Sequence, residues 1–274
     1  MSLKKILKER LNLRDEELSK IRRSFEIIGD VVVIDIPDEV YHLKEDIVKA
    51  ILEKHKHVKT VLRKVGEVSG DFRVAKYEIL YGEKTETIAK EHGCRFLLDP
   101  TKVYYSVKLS GERERIFKAV KTGERVLVMF AGVGPFAITI AKKAKPKEVV
   151  GVELNPVAVD YFKKNVKLNR VENTVKVYEG DVREVVPKIK GKFDRILMPS
   201  PNNAVEFADL AAEKAKSGTV IHYYTFAGIE EERELAKRVE DLFSQYISCK
   251  AIFIRKCGNF APYVYRYVVD LLVD

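Results

Sequence analysis

The chain has 274 residues, 46% of them hydrophobic, and a formal net charge of +9. This length suits one large or two modest domains with a substantial core. No apolar run reaches the roughly 18 residues of a transmembrane helix, and the charged N-terminus is unlike a signal peptide. We therefore expect a cytoplasmic protein. Its basic charge, spread over both halves, fits either a polyanionic partner such as RNA or a merely soluble surface.

The first 110 residues predict a small α+β domain. A basic amphipathic helix is expected over residues 4–24 and a second helix over residues 43–55. Between them, residues 31–36 predict a strand, opened by Gly29-Asp30. Further short strands are predicted over residues 58–62, 77–81, 85–90 and 94–98. Residues 63–73 are basic and contain glycine, which predicts a loop for phosphate contacts.

Neither the histidines nor the cysteines predict a metal site. His55 and His57 have no carboxylate partner nearby in the sequence, and the required ligand set is missing. Cys94, Cys249 and Cys257 are far apart and form no C-x-x-C motif, so we expect buried thiols.

A second domain is predicted over residues 111–274. Ser110 is a candidate cap for a helix that begins near Gly111, and the same helix carries Glu112 and Glu114 in its first turn. Residues 126–130 are all apolar and predict a buried parallel strand. The turn A-G-V-G follows, and Pro135 suits the first position of the next helix.

Two carboxylates follow the next two predicted strands. Glu153 ends the strand over residues 148–152, about 20 residues after the glycine turn, where a carboxylate can bind both hydroxyls of a ribose. Asp181 follows the strand over residues 175–178 and can accept from an adenine amino group. Ribose after strand two and adenine after strand three is the arrangement of S-adenosylmethionine (SAM) sites. Because no third glycine is present, NAD is disfavoured, and helix capping by both carboxylates is the alternative.

The remaining elements complete a doubly wound, mostly parallel α/β sheet that closes with an antiparallel pair. A fourth strand over residues 193–198 ends on P-S-P-N, a fifth covers residues 219–224, and the closing pair covers residues 249–255 and 263–272. Ligands in such sheets lie beyond the carboxyl ends of the strands. The glycine turn, Glu153, Asp181 and Pro199 should therefore share one rim. Of the aromatic residues, Tyr223 or Tyr224 is expected to contact ligand, while Tyr263, Tyr265 and Tyr267 are expected in the core.

Two long motifs and two shorter ones resemble a known family. The segments DPTKVYYSVKLSGERERI, MFAGVGPFAI, VIHYY and APYVY resemble the archaeal and eukaryotic tRNA (guanine-37) N1-methyltransferases and their relatives that make wyosine-type bases. The resemblance covers roughly residues 25–274. It implies a Rossmann-like class I methyltransferase fold, SAM as cofactor without a metal, tRNA as partner and a monomer. Family members often carry a further N-terminal domain for the tRNA elbow, which we do not expect in this sequence.

The resemblance also implies roles for individual residues. Glu112 would be the general base for the N1 proton of guanine, and Arg113 would bind near the target or its phosphate. The candidate catalytic residues are Glu112, Arg113, Lys108 and Pro199. The candidate cofactor residues are Phe130, Ala131, Gly132, Gly134, Pro135, Phe136, Glu153, Leu154, Asp181 and Val182. The candidate substrate residues are Tyr104, Ser106, Lys108, Pro201 and Asn202. The chemistry agrees, since guanine N1 must lose its proton to a base while a cation stabilises the charge at O6.

Three departures from the family pattern bear on the substrate. Val128 stands where the family has an acidic residue, Lys108 where it has an arginine, and Pro199 where it has an asparagine. Pro199 resembles the archaeal subset that also methylates C7 of 4-demethylwyosine at position 37, so a bifunctional enzyme is expected. Two alternatives stay open: transfer of the 3-amino-3-carboxypropyl group of SAM to a wyosine precursor, and a non-catalytic tRNA-binding protein.

Overall fold

The computed structural model describes residues 25–69, 74–200 and 204–274. The helix predicted over residues 4–24 lies outside this part of the chain, as do Pro201 and Asn202. The chain forms two compact units: one extends to Lys90 and includes Phe96–Val107, and the other contains Glu91–Arg95 and Lys108–Asp274. The proposed boundary after residue 110 remains a prediction. None of the helices in the described ranges is both long and apolar enough to span a bilayer.

The first unit is built on a four-stranded sheet in the order β1-β2-β3-β4. Its strands are β1 (Glu26–Ile28), β2 (Val31–Ile34), β3 (Thr60–Ser69) and β4 (Val74–Tyr81). Only β2 and β3 are parallel, and the crossover between them carries helix α1 (Lys44–Lys54), which follows a 3-10 turn at Asp38–Leu43. Ile47 and Ile51 of α1 pack with Val32 and Val61 of the sheet in one buried cluster.

The predicted phosphate loop after residue 62 is wrong over its described part. Arg63 lies within β3, where its side chain is bonded to Asp38, to Glu78 and to the carbonyl of Ile36. Antiparallel pairing with β4 extends β3 through the charged residues of this segment, so they form a long ribbon instead of an open loop. A strand pair, β5 (Thr87–Glu91) and β6 (Cys94–Leu98), follows at the predicted places.

The second unit contains a seven-stranded sheet in the order β12-β13-β11-β10-β7-β8-β9. Its strands are β7 (Arg125–Met129), β8 (Glu148–Glu153), β9 (Val175–Glu179), β10 (Arg195–Met198), β11 (Val220–Gly228), β12 (Cys249–Ala261) and β13 (Val264–Val273). Strands β11, β10, β7, β8 and β9 run parallel to one another in this order, whereas β13 is antiparallel to both β11 and β12. The predicted doubly wound sheet with a closing antiparallel pair is confirmed.

Helices connect these strands. They are α2 (Ser110–Ala119), α3 (Pro135–Lys143), α4 (Pro156–Asn169), α5 (Val182–Val185), α6 (Ala208–Lys214) and α7 (Glu232–Ser244). Four residues of β7, Val126 to Met129, are buried, as expected for a parallel strand covered on both faces. The predicted cap at Ser110 is wrong: Ser110 is the first residue of α2, and its hydroxyl lies 2.9 Å from Nε2 of His92.

The glycine turn between β7 and α3 closes against the ring of Phe162 from α4. Gly134 has a φ of +88°, and a Cβ built there would lie 2.1 Å from the Phe162 ring. Gly151 of β8 faces the same ring, with a built Cβ at 2.5 Å. Asn165, one turn later on α4, donates to the carbonyl of Val133 at 3.1 Å. The turn therefore requires glycine both for its backbone conformation and for the space that Phe162 occupies.

A comparison of two glycines separates these two requirements. Gly123 has a φ of +85°, nearly that of Gly134, but a Cβ there would meet nothing within 4 Å. We expect Gly123→Ala to lower the free energy of unfolding by about 1 kcal/mol, the cost of the left-handed conformation. Gly134→Ala should cost a further 1–3 kcal/mol, roughly, because Phe162 must move. Urea unfolding of both variants measures this difference, and equal losses would contradict the packing argument.

Candidate active site

The glycine turn is hydrogen-bonded to the Glu153 side chain at the carboxyl ends of β7 and β8. The Glu153 side chain accepts from the amide of Gly132 at 2.7 Å through Oε2 and from the amide of Asn155 at 2.9 Å through Oε1. Burial raises the pKa of Glu153, while hydrogen bonds from the amides of Asn155, Gly132 and Leu154 act in the opposite direction. The carboxylate thus fixes the turn and still has lone pairs for the hydroxyls of a ligand.

The next strand end adds Asp181 to the same rim. The amide of Gly180 donates to the carbonyl of Glu153 at 2.9 Å. Asp181 accepts from the amide of Arg183 at 2.8 Å through Oδ1, so it caps the short helix α5. Asp181 is therefore a helix cap, as the alternative predicted. Its other carboxylate oxygen can still accept from an adenine amino group. For Glu153 the capping alternative is wrong, since the Asn155 side chain caps α4 through the amide of Val157.

Apolar residues of the rim differ in exposure. Leu154 is 41% exposed and directly follows Glu153, which places an apolar surface beside the carboxylate. Phe130 has a φ of +59° and packs edge-on against Phe207, with 5.0 Å between ring centroids. Ala131, Phe136 and Val182 are buried and Pro135 is half-buried. A nucleoside with a diol and an amino group fits this donor and acceptor set, so the residues suit the adenosine part of SAM.

The candidate base Glu112 is almost completely buried in a hydrogen-bonded ion pair. Arg115 reaches both of its oxygens, with Nη2 at 2.7 Å from Oε1, and the hydroxyl of Tyr224 donates to Oε1 at 2.8 Å. The ring of Tyr224 lies 6.0 Å from that of Phe136 in the cofactor segment. Arg115 and Tyr224 thus hold the Glu112 side chain in a fixed position from two sides.

Arg113 also lies in a buried ion pair. Its guanidinium donates to both oxygens of Glu91, at 2.5 and 2.7 Å, and the side chain is 1% exposed. Its centre lies 5.8 Å from the centroid of the Phe136 ring. Arg113 is thus paired with Glu91, a carboxylate that the sequence did not indicate. The role of Arg113 toward a substrate remains a prediction.

The other predicted residues lie in different surroundings. Lys108 is exposed in the 3-10 turn Val107–Leu109 of the second unit, and Pro199 is half-buried after β10. In the first unit, Tyr104 is 40% exposed and lines a groove of about 130 Å³ with Tyr77, while Ser106 is buried. Tyr224 contacts Glu112, and Tyr267 lies in the core as expected, but Tyr263 is 77% exposed at the turn of the hairpin.

Three charged residues near Glu112 escaped the sequence analysis: Arg115, His222 and Asp270. Asp270 accepts from Arg115 at 2.5 Å and lies 2.6 Å from Nδ1 of His222. The sequence carries a signal for Asp270, since it is an isolated carboxylate in the apolar strand β13 and such a residue requires a buried partner. No group of three or more His, Cys, Asp or Glu side chains that could hold a metal occurs in the described residues.

Comparisons with known proteins identify a matching family. The TRM5/TYW2 methyltransferase domain matches residues 87–252, and the TYW2 N-terminal domain matches residues 3–85. The tRNA (guanine(37)-N(1))-methyltransferase Trm5b of Pyrococcus abyssi is 39% identical over 276 residues, which cover 97% of this chain and 80% of that protein.

A relative named for a different reaction is nearly as similar. The tRNA(Phe) (4-demethylwyosine(37)-C(7)) aminocarboxypropyltransferase of Methanocaldococcus jannaschii is 35% identical, with 90% of this chain and 96% of that protein covered. Among solved structures, a complex of aTrm5 with tRNALeu has a TM-score of 0.86 and 34% identity, and covers 100% of this chain and 78% of that one.

The site predicts that SAM binding depends on the charge of Glu153. We expect Glu153→Gln to weaken SAM binding about tenfold or more, because an amide cannot accept from two hydroxyls as a carboxylate does. In the wild type, affinity should also fall as the pH drops through the raised pKa of Glu153. Isothermal titration calorimetry with SAM measures both effects. Glu179→Gln, on the exposed end of β9, is the control, and equal affinities of the two variants would contradict the assignment.

Proposed function

Because the chain belongs to the TRM5/TYW2 methyltransferase family, as its motifs predicted, we propose that it methylates N1 of guanosine 37 in tRNA with SAM as methyl donor. The observation that carries this proposal is the position of Glu112. This buried carboxylate accepts a hydrogen bond from Tyr224, whose ring lies beside Phe136, a candidate cofactor residue. tRNA as the partner also fits the net charge of +9. We propose the cytoplasm as the location of the protein.

The chain's own residues account for the steps of this reaction. SAM, when bound, supplies an electrophilic methyl group. Glu112 takes the proton from N1 of guanine, and the ammonium of Lys108 stabilises the negative charge that develops on O6. N1 then bonds to the methyl carbon as the bond from that carbon to sulfur breaks, which leaves S-adenosylhomocysteine. Tyr104 and Ser106 bind the target nucleotide, which must leave its stack to expose N1.

Pro199 extends the proposal to a second substrate. Where the family has an asparagine, this chain has no side-chain amide to read the edge of the base. A site that does not pair with guanine at this point also accepts the tricyclic base 4-demethylwyosine. We therefore include methylation of C7 of that base in the proposed activity, with Pro201 and Asn202 as further contacts of the base.

Aminocarboxypropyl transfer is the second candidate. It is favoured by the match of the TYW2 N-terminal domain to residues 3–85 and by the 35% identity to the aminocarboxypropyltransferase. The same sulfonium has more than one carbon that a nucleophile can attack. Residues that hold the adenosine do not distinguish between these carbons, so the product must be identified directly.

Nucleoside mass spectrometry identifies the product. The protein is incubated with SAM and one of two tRNAs, which carry either guanosine or 4-demethylwyosine at position 37. We expect one methyl group on each. The mass of an aminocarboxypropyl group on the second tRNA would instead establish the second candidate, and no product with either would support a non-catalytic tRNA-binding protein.

A matched pair of variants tests Glu112 as the base. We expect Glu112→Gln to slow single-turnover methyl transfer to guanosine 37 by about 10²–10⁴-fold, because the amide cannot accept the N1 proton. Glu114→Gln, two residues along the same helix and 42% exposed, should change the rate by less than about twofold. SAM affinity and the thermal midpoint show whether each variant is folded. Equal rates of the two variants would contradict the assignment.

A further inference from the structure

A continuous series of buried and half-buried polar side chains links Glu124 to Glu112. Glu124 accepts from Arg195, whose Nη1 lies 2.7 Å from Nε2 of His222. His222 then contacts Asp270 through Nδ1, at 2.6 Å. Asp270 binds Arg115, and Arg115 binds Glu112. All of these residues belong to the second unit, and none of them other than Glu112 has a part in the proposed reaction.

Hydrogen-bond chemistry fixes the protonation state at His222. Arg195 can only donate, so Nε2 of His222 must be the acceptor and carries no proton. The proton of the neutral ring is then on Nδ1, which donates to Asp270. Burial lowers the pKa of His222, Arg195 and Arg115 lower it further, and Asp270 opposes them. Because the neutral ring carries no positive charge, Arg115 is the cation that Asp270 shares with Glu112.

We infer that Asp270, oriented by His222, is a positioning residue that shares Arg115 with Glu112 and thereby keeps Glu112 basic enough to take the substrate proton. The inference rests on the proposed function, because Glu112 is the base of that reaction. An arginine bound to Glu112 alone would hold its charge more tightly and make it a weaker base. By accepting from both nitrogens of Arg115, at 2.5 and 3.1 Å, Asp270 draws part of that charge away.

Tyr224 acts on Glu112 in the opposite sense to Asp270. Its hydroxyl donates to Oε1 of Glu112 at 2.8 Å, which stabilises the charged carboxylate. Removal of this donor should therefore make Glu112 a stronger base, whereas removal of the charge of Asp270 should make it a weaker one. Overall structural damage does not produce two shifts of opposite sign.

The other groups around Glu112 keep their charge across the useful pH range. From β12, Cys257 is a neutral thiol because burial raises its pKa to about 12. From β11, burial raises the pKa of Tyr224, so the phenol also stays neutral. Arg115 on α2 and Arg266 on β13 are always protonated. Asp270 is the other carboxylate near Glu112. Burial raises the pKa of Asp270, but His222 and Arg115 outweigh burial, so this pKa is lowered overall.

The test is the pH dependence of single-turnover methyl transfer to tRNA with guanosine 37. Glu112 accepts the substrate proton as a carboxylate, so the rate should fall in acid, along the acidic limb of the pH profile, where a carboxyl group is protonated. For Asp270→Asn we expect this limb to move to lower pH by about 0.5–1 unit, with a slower plateau, and for Tyr224→Phe we expect it to move to higher pH by about 0.5–1 unit. Tyr223→Phe is the control, since Tyr223 contacts Phe243 of α7 and should leave the limb in place.

Several outcomes separate the inference from its premise. Absence of methyl transfer by the wild type would overturn the proposed function itself. An active wild type with identical limbs in all variants, or with both limbs shifted in one direction, would overturn the inference alone. SAM affinity and thermal midpoints identify any variant that fails to fold. Should Asp270→Asn be that variant, an unshifted limb in Tyr224→Phe is enough to reject the inference.

Discussion

The bond between the Glu153 carboxylate and the amide of Gly132 is the interaction on which the nucleotide end of the sheet depends. It joins the end of β8 to the turn after β7, while the second oxygen of Glu153 binds the amide of Asn155 before α4. One side chain therefore fixes the starts of two connections at once. Burial of a carboxylate is unfavourable, which is reflected in the raised pKa of Glu153. Ligand hydroxyls that donate to Glu153 would offset that cost, so the energetics of the empty fold favour binding of a diol.

Burial is also unfavourable for the charged groups around Arg115, and more groups are involved there. Removal of several ions from water costs more than their mutual attraction usually returns, and well-packed apolar residues often stabilise a fold better. Asp270 lies in the middle of an apolar strand, and apolar neighbours such as Val269 and Leu271 show what that position otherwise accommodates. In the proposed reaction Glu112 nevertheless acts as a carboxylate, although it is almost completely buried. A network that binds the ion from several sides is one way to keep it charged and in place, and Tyr224 links it to the cofactor segment.

The sequence predicted the second unit better than the contacts of its site. Hydrophobic runs and glycine spacing placed β7, α3 and β8 within one residue of their observed ends, because parallel strands and their turns follow local rules. Local rules failed at residues 63–69, where pairing with β4 extends a strand through charged residues. They also could not show that Arg113 binds Glu91 or that Arg115 binds Asp270, since such pairs join residues far apart in the chain. The isolated Asp270 was a visible signal of a buried partner, but not of which one.

Under the proposed function, the choice between the two methylations depends less on the general base Glu112 than on the groups that contact the edge of the target nucleobase. N1 of guanine must lose its proton before or during attack on the methyl carbon. A ring carbon such as C7 of 4-demethylwyosine attacks through its π-electrons and loses its hydrogen as a proton afterwards. In both reactions one proton leaves and one carboxylate can accept it, so Glu112 serves either order of events. Substrate choice must then arise from groups that read the edge of the base. Pro199 has no side-chain amide for that purpose. Under the proposed function we therefore expect the end of β10, rather than the charge network, to decide between one substrate and two.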